Sequence, residues 1–325
     1  MAEAKGGDAP AIGVDVGGTK IAGAVVAPDG SIVERERVDT PAERTEDIVA
    51  ASAEVIATLL GRVGGDVAGI GLAVAALLDP RAGHVWYAPN LPWRDLDLGS
   101  LVAERVGQPV LLENDANAAT WGEYRYGAGE HEDDMVLLTV GTGVGGGCVV
   151  DDHLLHGAHG IAGELGHITL DPNGPVCGCG NRGCLEALAA GTALLRDARE
   201  LVASPSPLGA ALRERCGGDP ARLEGTDVTD LAQQGDQGAV ELLEVLGTHL
   251  GHGIASICAV LDPRVVVVGG GVGAAGDLLL EPARASFARH LVGRGHRPTP
   301  EIVPARLGND AGAVGAATLA RETAR

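Results

Sequence analysis

The stretch Ala11-Ile-Gly-Val-Asp15-Val-Gly17-Gly18-Thr19-Lys20-Ile-Ala-Gly23-Ala-Val25-Val26 reads as a buried strand, a glycine turn and a second apolar strand. The pattern returns in Met135-Val-Leu-Leu-Thr139-Val-Gly141-Thr142-Gly143-Val-Gly-Gly-Gly147-Cys-Val149-Val150. Gly141 follows Gly17 by 124 residues, and Gly23 and Val25-Val26 fall against Gly147 and Val149-Val150. A Pro28-Asp29-Gly30 turn closes the first copy and Asp151-Asp152 the second. Self-similarity of this kind signals duplication of a strand–loop–strand–turn unit and predicts two lobes of related topology.

Working outward, a third strand is expected over 31–38, a helix over 45–61, buried strands over 69–75 and 109–112, and a helix over 117–126. The second half reads as more helical, with helices over 184–203, 208–216, 229–234, 236–262, 276–291 and 309–324. An apolar run at 265–268 enters Gly269-Gly270-Gly271. The 325 residues favour two domains, and 45% apolar content in short runs fits a globular α/β protein. No run reaches the ~18 consecutive apolar residues of a membrane span. Residues 1–9 lack the apolar core of a signal peptide and read as a flexible tail of a cytoplasmic protein. The net charge of −20 argues against nucleic acid, which needs clustered basic residues. Lysine occurs only at Lys5 and Lys20.

A strand ending in Gly-Gly-Thr turns backbone N–H groups and a hydroxyl toward one concavity, which suits phosphate oxygens. Gly17, Gly18, Thr19 and Lys20 form one such loop, Gly141, Thr142 and Gly143 a second, and Gly270-Gly271 a third junction. Tight hairpins also need glycine, but three such junctions together point to a nucleotide. Asp15 is placed to hold Mg²⁺, directly or through water; the second copy has Thr139 there. No G-x-x-x-x-G-K-[ST] string is present, which excludes a P-loop. Gly271-x-Gly273-x-x-Gly276 fits the dinucleotide string, but the strand expected over 301–305 ends without the acidic residue a ribose needs.

His167, Cys177, Cys179 and Cys184 offer one imidazole and three thiolates within a glycine-rich segment, the donor set of a closed structural Zn²⁺ site. Cysteines clustered in a chain without an export signal suit a metal better than disulfides. Glu164 and Glu186 flank the cluster, and a fixed His167 ring would leave its second nitrogen for a ligand. Carboxylates and imidazole converging on a pocket suit vicinal hydroxyls, although Glu186 also reads as a first-turn helix carboxylate. In Glu113-Asn114-Asp115-Ala-Asn117 a strand ends and a helix begins. Asn or Asp there is an N-cap by default. An ionised Asp115 is also suited to accept a hydroxyl proton, and both roles fit the pair.

These motifs in this order resemble the ROK family of bacterial sugar kinases and repressors, and within it the actinobacterial ATP-dependent glucokinases. The likeness rests on Asp15-Val-Gly-Gly-Thr-Lys20, Glu113-Asn-Asp-Ala-Asn117, Thr139-Val-Gly-Thr-Gly143, Gly163-Glu-Leu-Gly-His167, Cys177-x-Cys179-x4-Cys184-x-Glu186 and Val268-Gly-Gly-Gly271. It implies an actin-like, ribonuclease-H-like fold closing on sugar and ATP, with lobes over 10–117 plus 309–325 and over 118–308. It implies Asp115 as base for the 6-hydroxyl of glucose, and Asn90, Asn114, Glu164, His167 and Glu186 as sugar contacts. Other hexoses (N-acetylmannosamine, fructose), polyphosphate as donor, or a sugar-responsive repressor are the alternatives within the family. For the repressor, no room for a helix-turn-helix is expected ahead of residue 17. A homodimer or homotetramer is expected. Many members carry Pro-Gly where this chain has Ala75-Ala76.

Overall fold

The structure, a computed structural model, describes residues 9–41 and 44–324; the tail expected at residues 1–9 lies outside them except for Ala9. Strands β1 (Ala11–Val16), β2 (Lys20–Val26) and β3 (Ile32–Asp39) lead into helix α1 (Thr45–Arg62) and strand β4 (Ile70–Val74). A small antiparallel sheet follows, β5 (Leu77–Asp79), β6 (His84–Tyr87) and β7 (Arg94–Leu96). Helix α2 (Leu98–Val106), strand β8 (Leu111–Asn114) and helix α3 (Asp115–Tyr126) complete this part. The second repeat comprises β9 (Met135–Val140), β10 (Val144–Val150) and β11 (His153–Leu154). Helices α4 (Leu185–Ala189), α5 (Gly191–Ala203), α6 (Ala210–Arg215), α7 (Gly225–Gln233) and α8 (Gln237–Leu261) come next. The chain ends with β12 (Val265–Gly269), α9 (Gly270–Gly273), α10 (Asp277–His290), β13 (Glu301–Pro304) and α11 (Ala311–Thr323).

The two large sheets have the same strand order, β3-β2-β1-β4-β8 and β11-β10-β9-β12-β13. In each, a hairpin is extended on one side by parallel strands: β1 pairs with β4, and β9 with β12. The duplication seen in the glycine pattern is thus a duplication of topology.

The chain divides into two compact units. One takes in the chain through Asp133, Gly147–Gly163 and everything from Arg306; the other is Asp134–Gly146 with Glu164–Ala305. In the first, α1 and α2 cover one face of the sheet with buried Ile48, Ile56, Leu59, Leu98 and Val102. On the other face α11 lies almost on the strands, because Gly13 and Gly71 have no side chain where a Cβ would strike the Ala313 and Ala316 carbonyls. That approach explains the alanine run of α11. α3 packs on α11 in the same way, Gly315 against Ala118 and Gly122 against Ala311. The boundary expected at 117 therefore falls inside α3, whose whole length packs with the first unit.

In the second unit the core is the 25-residue α8, N-capped by Asp236, with Gly247 and Gly251 set against Leu279 and Ala283 of α10. By length and composition α8 alone among the described helices is apolar enough to cross a membrane, yet 56% of its most apolar window is buried in the protein. The single helix expected over 184–203 is broken at Ala190 (ψ 167°). The reason is local: Gly191 and Thr192 send their N–H groups to the Gly141 and Thr142 carbonyls, at 2.7 and 3.3 Å, instead of back along a helix.

Candidate active site

In the first unit the loop between β1 and β2 closes with a Gly17 N–H to Lys20 O bond of 3.0 Å and is tied down by the Thr40 hydroxyl on Gly17 O at 2.7 Å. Gly18 and Thr19 are exposed. Any Cβ at Gly18 would meet the Cβ of Asn90 at 3.4 Å, so Asn90 sits beside this loop. Asn90 is carried on the β6–β7 turn, which Arg94 organises: its Nη1 donates to the carbonyls of Ala88 (2.6 Å), Leu91 (3.2 Å) and Trp93 (2.6 Å), and its guanidinium lies over the Tyr87 ring.

Asp15 lies at the end of β1, next to the loop. Burial drives its carboxyl up to about 7, the charge of Asp115 adds to this, and Lys20 opposes it. Asp115 opens α3, and burial also raises its carboxyl above the ordinary range while the N–H groups of Ala116 and of Asp115 itself pull it back. A carboxyl held protonated by burial and by the charge of a second carboxylate, beside one lysine, is the arrangement a cation relieves. The cap of α3 is Asn114, whose Oδ1 accepts the Asn117 N–H at 3.0 Å; Asp115 is left free of that duty. Asn114 Nδ2 donates to the Ala76 carbonyl at 3.2 Å, which gives the Ala75-Ala76 segment a part in holding the turn.

In the second unit the loop after β9 closes with a Gly141 N–H to Gly143 O bond of 2.9 Å. Gly270 (φ 85°) packs on the Val140 backbone, so Gly270 and Gly271 start α9 beside this loop. Glu186 joins the loop to the cysteine cluster: one oxygen accepts the Val144 N–H at 3.1 Å, and the other lies 3.4 Å from Cys177 Sγ. Any side chain at position 143 would strike the Glu186 carboxylate. Glu164 precedes the short turn Leu165–His167, with its Oε2 3.9 Å from His167 Nε2.

His167, Cys177, Cys179 and Cys184 bring one ligand atom each within 4.8 Å of one another. Tetrahedral Zn²⁺ with its usual bond lengths spaces two sulfurs by about 3.8 Å and a sulfur and a nitrogen by about 3.6 Å. Cys179 and Cys184 Sγ are 3.7 Å apart, and Cys177 Sγ is 3.6 Å from His167 Nδ1. The donor set fits. A knuckle made by the Cys177 N–H to Asn181 O bond and the positive φ of Gly180 and Gly183 bends the chain around it. Burial pushes the Cys177 thiol up to about 12, whereas a backbone N–H from Asn181 lowers Cys179. A divalent cation among them is what turns such a set into thiolates.

The structure thus collects the expected residues into two sets. Asp15, Gly17, Gly18, Thr19, Lys20, Asn90, Asn114 and Asp115 belong to the first unit; Gly141, Thr142, Gly143, Glu164, His167, Glu186, the three cysteines, Gly270 and Gly271 belong to the second. Glu113 and His156, whose side chains meet at 2.7 Å behind the Asn114–Asp115 turn, are not marked as partners by the sequence: Glu113 opens the Glu113–Asn117 motif, but no spacing links it to a histidine 43 residues away.

A model of the ROK family matches residues 11–323. The chain belongs to the ROK family. It is 42% identical to a glucokinase of Streptomyces coelicolor over 96% of this chain and 97% of that one. A ROK family glucokinase from Streptomyces griseus, solved in complex with glucose and AMPPNP, superposes with a TM-score of 0.87 at 43% identity, covering 96% of this chain and 99% of that one. The xylose repressor of Bacillus subtilis is 31% identical over 95% of this chain and 76% of its own length. The duplicated sheets of this ROK protein are accordingly those of the actin-like, ribonuclease-H-like fold.

Proposed function

We propose that this ROK protein transfers the γ-phosphoryl group of ATP to the 6-hydroxyl of glucose, yielding glucose 6-phosphate and ADP. The observation that carries the reading is the Asp15–Asp115 pair beside the first glycine loop, with Asp115 relieved of capping by Asn114. Its support is the 42–43% identity to a glucokinase and to a glucokinase solved with glucose and AMPPNP, an ATP analogue.

Asp115 accepts the proton of the 6-hydroxyl as that oxygen attacks the γ-phosphorus and the bond to the β–γ bridging oxygen breaks. Asp15 is the residue for Mg²⁺, which when bound offsets phosphate charge. The amides of Gly17–Thr19 and Gly141–Gly143 receive phosphate oxygens. Asn90, Asn114, Glu164 and His167 orient sugar hydroxyls. Glu186 steadies the second loop with one oxygen on the Val144 N–H, and its other oxygen, beside a Cys177 that as a metal-bound thiolate has no proton to give, is open to a sugar hydroxyl. His167, Cys177, Cys179 and Cys184 would hold a Zn²⁺ in a structural role, their four donors leaving no place for a reacting water. The cytoplasm, where ATP is made available, is its place of work.

A coupled assay over a sugar panel tests this, with ATP and polyphosphate compared as donors. Glucose with ATP should give the highest kcat/KM. A tenfold preference for N-acetylmannosamine or fructose, or for polyphosphate, would overturn the assignment.

A further inference from the structure

Glu113, the last residue but one of β8, has a side chain only 3% exposed. A carboxylate so deeply buried is costly unless its oxygens find donors. Here they find three. Oε1 accepts the Asn114 N–H at 2.9 Å and Asn117 Nδ2 at 3.1 Å; Oε2 meets His156 Nε2 at 2.7 Å. The first two donors stand on either side of Asp115, at the two ends of the turn that carries it. The third comes from the segment after β11, where the His156 carbonyl also holds the Ala162 N–H at 3.1 Å. The hydrogen bond to Glu113 raises His156 above its ordinary range, against burial and, more weakly, the charge of Arg81.

We infer that Glu113 and His156 form a positioning pair that fixes the Asn114–Asn117 turn, and with it the carboxylate of Asp115. Neither touches substrate. Glu113 grips Asn114 and Asn117 with one oxygen, and His156 stops that carboxylate from turning by holding the other. Without His156 the second oxygen is buried with no donor, and the carboxylate must rotate, take a proton or admit water. Each outcome loosens the grip on the turn. Displacing a reacting group by about 1 Å slows a reaction by up to about 10²-fold, and a smaller shift by less, while leaving binding of a distant group alone. Asp115 depends on this turn because the backbone N–H groups that meet its carboxylate among the described residues, those of residues 115 and 116, belong to the turn itself.

The inference rests on the proposed transfer to a sugar, so two readouts are needed. In steady-state kinetics on the sugar that the wild type phosphorylates, His156→Ala should lower kcat by about 10- to 100-fold, with KM for ATP within about twofold. His156→Gln, whose amide N–H reaches the same oxygen, should recover kcat to within about threefold. By hydrogen exchange, the amides of 114–117 should open at least about tenfold faster in His156→Ala and not in His156→Gln. If His156→Ala does not fold, His156→Asn, with an amide too short to reach Oε2, takes its place. A kcat within twofold of wild type in the Ala variant overturns the pair. So does equal slowing in the Ala and Gln variants in step with equal losses of thermal stability, which is the signature of packing alone. A wild type inactive on every sugar would sink the proposed function instead; exchange then decides by itself, and unchanged protection at 114–117 overturns the pair.

Discussion

The two sheets share a strand order but not a chemistry. On the first, the strand before the loop carries Asp15 and the strand after it opens with Lys20; the matching places on the second are Thr139 and Val144. The first sheet's outer parallel strand, β8, runs directly into α3 and presents Asp115 in its first turn. The second sheet's inner parallel strand, β12, runs directly into Gly270-Gly271 and a helix without a charged residue. The second loop is instead bolted by Glu186 to a cluster of soft ligands. Duplication therefore supplied two backbone nests that differ in charge: the first has Asp15 and Lys20 on its own strands, whereas the second receives its carboxylate, Glu186, from a later helix. Phosphoryl transfer calls for such inequality, since proton acceptor, cation site and phosphate cradle are unlike parts.

The sharpest break in this comparison is Asp115→Asn. It keeps shape and helix start, since Asn114 holds the cap, but removes the proton acceptor. We expect kcat to fall by about 10²–10⁴-fold with glucose affinity, measured by calorimetry, changed less than about threefold. Undiminished turnover would remove the asymmetry from the mechanism. The wild-type rate should also fall on the acid side, as pH drops through the raised Asp115 pKa and the base becomes protonated. The converse change, Thr139→Asp, gives the strand before the second loop the carboxylate it lacks. Beside a nest for phosphates a new anion repels, so KM for ATP should rise about tenfold while the melting temperature moves little. Unaltered ATP binding would mean that the second loop does not receive phosphate.

Cys179→Ser separates the second unit's metal from its loop. Metal analysis should show about one Zn²⁺ per wild-type chain and loss of most of it in the variant. The melting temperature should drop on the order of 10 °C, because the knuckle at 177–184, which has little core of its own, would wrap the proposed ion. A chelated wild type should match the variant. Equal melting temperatures with and without metal would make the cluster ornamental.

How much of this was legible beforehand follows from what each signal depends on. The glycine-punctuated hairpins and the cysteine spacing are local, so 11–26, 135–150 and the 167–184 ligand set could be read directly. The β5–β7 sheet and the nine-residue α2 could not, because the strands are three or four residues long, separated by connections holding Pro80, Pro89 and Pro92, and too short to show a period. The break at Ala190 was invisible for another reason: helix propensity is high across 184–203, and only the carbonyls of a loop fifty residues earlier divert the N–H groups. Glu113 and His156 share that character. Their partnership is made by topology, and neither segment announces it.

The smallest effect is the most direct test of why the carboxylate before the loop stands on one repeat alone. Asp15 has a folded-state carboxyl raised from 3.8 to about 7, so without a cation the folded chain holds a proton there that the unfolded chain has released. Stability must then fall as pH rises from about 4 to about 7, and become flat on either side. Asp15→Asn removes this slope. The difference in melting temperature, variant minus wild type, should be near zero at pH 4 and grow to about 1–2 °C above pH 8, the worth of about 1 kcal/mol in a chain of this size. Adding Mg²⁺ and nucleotide should erase the advantage, because the wild-type carboxylate then has a partner that asparagine lacks as an anion. A difference that does not vary with pH, or that survives Mg²⁺ and nucleotide, would mean that Asp15 is a structural residue and that the first loop is no more a cation site than its copy.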